Sequence, residues 1–234
     1  MTTALLAVAL ITQKDPTIED AVLIGFKSAT FVTTVSGAKQ SELRKINKDF
    51  AASYRFKRMK VQMKEPFKIR LSTAVDDTRI VMIINGPKKV YRIPKVNLSK
   101  REDNSKNPAK RQTTLDFGLL TKSLFDGYMD AKYVRTDRLT GEWVFDLTYK
   151  PEHGDKSRHR VWIDPERRFL TKRAWYSRRG NLRATFLYED ATKFGDIWFP
   201  KTAIVKNAEN KVAGTIICTE VVVNPTLSDD LFKL

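Results

Sequence analysis

Cysteine and histidine are nearly absent from this chain of 234 residues. Cys218 is the single cysteine, and His153 and His159 are the only histidines. One cysteine excludes an intramolecular disulfide and a cysteine-based zinc cluster. Two histidines leave little for metal ligation or a catalytic triad. The G-x-S-x-G nucleophile elbow and the phosphate-binding P-loop are also missing. His153 and His159 bracket a predicted hairpin turn and are expected to be solvated. Cys218 sits in an apolar run, TIICTEVVV, where a buried, inert thiol is expected. The carboxylate pairs Asp76-Asp77 and Asp229-Asp230 fall at predicted turns, where capping outweighs acid/base work. No catalytic residue, metal or cofactor is expected, and the chain reads as something other than an enzyme.

Long apolar runs are lacking too. Ala4 to Ile11 is unbroken but falls short of the roughly 20 residues that cross a bilayer. Ala21 to Val35 is interrupted by Lys27 and by Ser and Thr. The early run has the size of a signal-peptide core, and Ala7-Val8-Ala9 resembles a cleavage site, although Lys and Arg are missing ahead of it. Residues 1–14 are therefore expected to be an atypical signal peptide, which places the mature chain in the periplasm or cell envelope. A buried first strand or helix is the alternative.

Positive charge is what the chain has in excess. Lys and Arg number 43 against 27 Asp and Glu, a net charge of +16. So basic a chain seeks anions: nucleic acid, a membrane surface or an acidic partner. Hydrophobic residues at 41% are too many for intrinsic disorder, and the length suits one domain or at most two. Basic residues such as Arg158, Lys172 and Arg173 interleave with Trp162, Trp175, Tyr176 and Phe186. That mixture could bind single-stranded nucleic acid. No RNA-binding, helix-turn-helix or zinc-finger signature supports it, so nucleic acid is disfavoured.

Two periodicities organise the chain. Asp15-Pro16 predicts a helix from Pro16 to about Lys27. Leu43, Ile46 and Phe50 share one face of a second predicted helix. From Ala51 the period becomes two: Tyr54 and Phe56, then Met59, Val61 and Met63, then Phe67, Ile69 and Leu71 alternate with polar residues. RIVMIIN (79–85) and residues 90–94 are further strands. Residues 95–113 are nearly devoid of apolar side chains and read as a long loop. A helix is predicted over 115–130, with Leu120, Leu124 and Tyr128 on one face. Strands are then expected at 132–138, 141–150, 157–163, 169–177, 181–189, 198–206 and 211–223, separated by Gly, Pro and Asn turns. Such a meander curls into a barrel or sandwich.

Three segments resemble the LolA/LolB-like family of outer-membrane lipoprotein-sorting proteins. They are LRKINKDFAASYRFKRMKVQMKEPFKIRL, WIDPERRFLTKRAWYSRRGNLRATFLYEDATKFGDIWFPKTAIV and the ending VVVNPTLSDDLFKL. The resemblance implies a mainly β, α+β fold: a strongly curved antiparallel half-barrel of about eleven strands, closed by a few helices. It implies one lipid-binding domain over 37–234, preceded by a variable segment, 15–36. An apolar cavity would then take up lipid or lipoprotein acyl chains. Phe67, Ile69 and Leu71 match the segment that lines the family's cavity. Leu43, Ile46, Phe50, Leu120 and Leu124 are candidates on the closing helices, and Arg55, Lys57 and Arg70 are candidate headgroup contacts. An anionic membrane surface or envelope proteins are further expected partners. The alternatives are an envelope sensor or interaction module on the same fold, or a basic polyanion-binding protein.

Overall fold

A computed structural model describes residues 14–234; the segment read as a signal peptide lies outside the described residues except for its last residue. Among the described residues, thirteen strands form one antiparallel sheet rather than about eleven. They are β1 (Ser28–Ala38), β2 (Arg58–Lys64), β3 (Lys68–Val75), β4 (Thr78–Asn85), β5 (Lys88–Ile93), β6 (Leu98–Asp103), β7 (Met129–Thr136), β8 (Trp143–Tyr149), β9 (Arg158–Asp164), β10 (Phe169–Tyr176), β11 (Leu182–Phe194), β12 (Ile197–Asn207) and β13 (Val212–Val223). The spatial order is β6-β5-β4-β3-β2-β1-β13-β12-β11-β10-β9-β8-β7. Nearly every neighbour is also next in sequence, because short hairpin turns join them. The long-range pairing of β1 with β13 joins the two arms in the middle of the sheet, where β1 is the sixth strand and β13 the seventh. Residue 37, where the variable segment is expected to give way to the domain, lies within β1.

One face of the sheet is mainly apolar, with Lys89 and Arg173 as buried exceptions. Val61, Ile69 and Ile84 from one arm share a single core with Phe145, Val161 and Phe186 from the other. Tyr128 packs on Phe67 of one arm and on His153 of the other, with ring centres 4.9 and 5.8 Å apart, so the sheet bends into a trough. The edge strands β6 and β7 remain unpaired to each other, and residues 104–128 cross the open side between them. The opposite face carries the alternating cations. Arg160 is held by Asp146 at 2.8 Å, Lys172 lies over Trp162, and Arg158 over Tyr176.

The helical predictions are corrected most. Only Ile18–Ala21 (α1) of the first helix forms, closed by a Thr17–Asp20 capping box. The second predicted helix splits into α2 (Gln40–Ile46) and α3 (Lys48–Ser53). Asn47 between them is extended, and its side chain accepts from the amides of Asp49 and Phe50 at 2.7 and 3.1 Å. Asn favours such a cap over a helix interior. Tyr54 and Phe56 belong to the turn after α3 and not to a strand. The 115–130 helix is replaced by two 3-10 turns, Thr114–Phe117 and Lys122–Leu124. Gly118 ends the first at φ +75, where a Cβ would come within 2.7 Å of the Tyr188 ring. Part of the predicted loop 95–113 is the edge strand β6, whose polar, exposed residues bury almost nothing and so leave no alternating signal.

The histidine expectation is also corrected. His159 is buried in β9, and burial, then the charge of Arg173, pushes it well below its ordinary value. His153 is tied by its ring nitrogens to the carbonyls of Ser105 and Gly127 at 3.0 and 2.9 Å. Cys218 is buried as expected, and burial raises its thiol to about 12.

Candidate functional site

The eight candidate lipid-binding residues come together inside the trough. Leu43 and Ile46 project from α2, Phe67, Ile69 and Leu71 from β3 and the turn before it, and Leu120 and Leu124 from the crossing segment. All seven are buried in the main core, and Phe50 packs against it, edge-on to Phe186 at 5.9 Å. Leu115, Leu119, Leu120 and Leu124 of the crossing segment fill the middle of the trough. Each buried leucine contributes about 1.5–3 kcal/mol.

The headgroup candidates do not join them. Arg55 and Lys57 are exposed in the turn after α3. Arg70 lies on the outer face, where its guanidinium donates to the carbonyl of Leu231 at 3.0 Å. It anchors the C-terminal segment instead of facing the trough.

Polar side chains pin the crossing segment over this apolar interior. Asp116 accepts from the buried Arg173 at 2.9 Å, and Arg173 lies over the Phe186 ring. Burial alone would lower the Arg173 guanidinium, but Tyr188 and Asp116 outweigh it and hold the charge. The Tyr188 hydroxyl donates to the Leu115 carbonyl at 2.8 Å. Arg111 lies against the paired rings of Phe67 and Tyr128, at 4.0 and 4.1 Å, and donates to the Gly86 carbonyl. Glu65 accepts from the Ser123 hydroxyl at 2.9 Å and from its amide at 3.3 Å. Burial pushes the Glu65 carboxyl up despite these bonds. Sequence reasoning counted Arg173 among the interleaved surface cations and gave the other groups no role, because nothing in the pattern says that an Arg at position 111 or 173 points inward.

One end of the trough is plugged by residues 18–27. Ala21, Leu23 and Phe26 are buried there, and the Leu23 amide donates to the Leu120 carbonyl at 2.9 Å. Arg168 donates to the Val22 carbonyl at 3.1 Å, and Asn224 bonds Gly25 and Lys27. Between the exposed tip of this plug and the turns after β9 and β11 lies a cleft of about 830 Å³. Its floor includes Leu23 and Ile197, which belong to the main core. Its walls carry Trp198, Val222, Arg167 and Lys193.

An open antiparallel sheet bent round an apolar interior and closed by a few short helices and turns is a LolA-like fold, and solved structures agree. The chain is similar to a domain from Vibrio parahaemolyticus assigned as an outer membrane lipoprotein-sorting protein, with TM-score 0.61 and 14% identity over 92% of each chain. It is similar to a LolA superfamily protein from Nitrosomonas europaea, with TM-score 0.62 and 15% identity over 92% of this chain and 94% of that one. A DUF1329 family protein from Desulfovibrio piger follows at TM-score 0.51 and 11% identity over 92% of each chain. At such identities the likeness is one of fold. No curated protein matches the chain in sequence. The sequence model of a family described as "uncharacterized protein" matches residues 113–234, more than half of the chain, and the chain belongs to that family.

Proposed function

We propose that the protein is a binding protein of the cell envelope that holds lipid or lipoprotein acyl chains against the concave face of its sheet. The observation that carries this reading is the composition of the trough and its cover. The trough is lined mainly by apolar side chains, with Arg173 and His159 as buried exceptions, and an irregular segment contributes four leucines to its middle. That segment is held by a few side-chain pins and not by a strand ladder or a long helix. The leucines stand where an acyl chain would lie. Each CH₂ of a chain that replaced them would recover about 0.8 kcal/mol of burial. The LolA-like fold supports the same reading, as does the early apolar run for export to the periplasm.

The outer face favours this over polyanion binding. Three of its cations, Arg158, Arg160 and Lys172, are engaged by Asp146 and by their aromatic neighbours Trp162 and Tyr176. Native mass spectrometry of gently purified protein tests the proposal. Acyl-lipid adducts are expected, displaceable by a fluorescent fatty acid. Apo mass alone, with no uptake of the fluorescent probe, would falsify it.

A further inference from the structure

We propose that the cleft at the plugged end binds the phosphate of an anionic amphiphile, with its acyl chain leading from the cleft toward the core. The inference rests on the lipid-binding reading above and adds both the place of entry and the headgroup class. The size of the cleft falls in the usual range of small-molecule sites, about 300–1,000 Å³.

One cation lies over an indole, and a second stands beside that indole on the neighbouring strand. Lys193 and Trp198 are directly paired across β11 and β12, so their side chains share a face. The Arg167 guanidinium lies 5.0 Å from the Trp198 ring centre. Lys193 makes no ion pair among the described residues, and Arg167 has only a 3.5 Å contact with Asp164. The turn that carries Arg167 is built by Asp164, which accepts from the amides of Glu166 and Arg167 at 3.0 and 3.1 Å. Arg168 follows at φ +50, a left-handed conformation that turns its side chain back to the plug at Val22. Glu166 and Asp196 also line the cleft, so its lining carries three cations against two carboxylates.

The apolar half of the site is equally definite. Ile24 at the plug tip is 64% exposed, and Val222 is 50% exposed. Both border Leu23 and Ile197, which are continuous with the trough. A cationic rim beside the exposed Ile24 and Val222, with the buried Leu23 and Ile197 behind them, is complementary to a phosphate carried on an acyl chain. Phosphate contacts by Arg and Lys are charge-assisted and strong, and the chain supplies the burial that the exposed Ile24 and Val222 lack.

The test uses the full chain and three soluble probes: lysophosphatidylglycerol below its micelle concentration, a monoacylglycerol with the same acyl chain, and glycerol 3-phosphate. Calorimetry is expected to show the lyso-lipid binding more tightly than either of the others. In the double variant Arg167→Ala/Lys193→Ala, lyso-lipid affinity should fall roughly ten-fold, about 1.4 kcal/mol. Monoacylglycerol affinity, which also reports correct folding, should stay unchanged. Equal affinity of the wild type for the charged and neutral amphiphiles, or an unaltered double variant, overturns the headgroup site while leaving lipid binding intact. Glycerol 3-phosphate binding as tightly as the lyso-lipid removes the acyl chain from the proposal. Failure of both amphiphiles to bind defeats the lipid reading itself, and this inference with it. A benzophenone side chain at position 222 should cross-link to the lyso-lipid; cross-links to the chain's own residues 4–11 instead would show that the cleft is already filled.

Discussion

The crossing segment, 104–128, and the C-terminal segment, 225–234, cover opposite faces of one sheet by different means. Both are irregular and both use 3-10 turns. The crossing segment buries four leucines in the main core and is pinned by the buried Arg173–Asp116 contact. The C-terminal segment buries one large side chain, Phe232, in a satellite core with Val81, Ile83 and Val90. Its ion pairs, Lys64 and Lys68 with Asp229 at 3.0 and 2.8 Å, are at the surface. Position of the polar contact, not its geometry, separates the two. A charge withdrawn from water must keep its partner, whereas an exposed one can turn to solvent.

Substitutions in the two covers should therefore differ in cost. Asp116→Ala should do most damage, about 3–5 kcal/mol in urea unfolding, because it leaves the buried Arg173 without its carboxylate. A loss as small as that of a surface pair would erase the distinction between the two covers. Phe232→Ala should cost about 3 kcal/mol by emptying the satellite core. Its effect should fall on the C-terminal segment, read as faster proteolysis there while the trough stays protected from hydrogen exchange.

A third prediction concerns the floor beneath the crossing segment. The unfolded chain takes up a proton on His159 near pH 6.5 that the folded chain refuses, because burial and Arg173 hold the imidazole neutral. Stability should therefore fall as pH drops below about 6.5, by up to about 1.4 kcal/mol per pH unit from this group. His159→Leu should flatten that part of the profile between pH 5 and 7, and a profile unchanged by the substitution would show that His159 is not held neutral. Smallest of all, Asp229→Asn should leave the unfolding midpoint where it is, since its lysine partners can turn to water. A clear drop would mean that the C-terminal segment depends on its ion pairs and not on Phe232.

Much of the sheet was legible in the sequence. The seven strands expected in the second half all form within a few residues of their predicted starts, though β11 runs on to Phe194. Alternation survives there because one face is buried and the other wet. The region from 104 to 128 was not legible. Leucines at 115, 119, 120 and 124 suit a helix as well as they suit an irregular cover buried on several sides, and periodicity cannot tell these apart. The candidate trough residues were found together, since apolar side chains of one face must share a core. The plug-end cleft was not found, because it joins residues near positions 24, 167, 195 and 222.

What the sequence determined by itself is local: period-two strands, turns at Gly, Asn and Asp, a buried Cys218, and cations on the outward positions. Each follows from one residue and its near neighbours. Which segment covers which face was decided only by the tertiary structure, along with the inward aim of Arg111 and Arg173 and the burial of His159. Those outcomes depend on what the curved sheet brings opposite a side chain from far along the chain, and on whether a partner waits there for its charge.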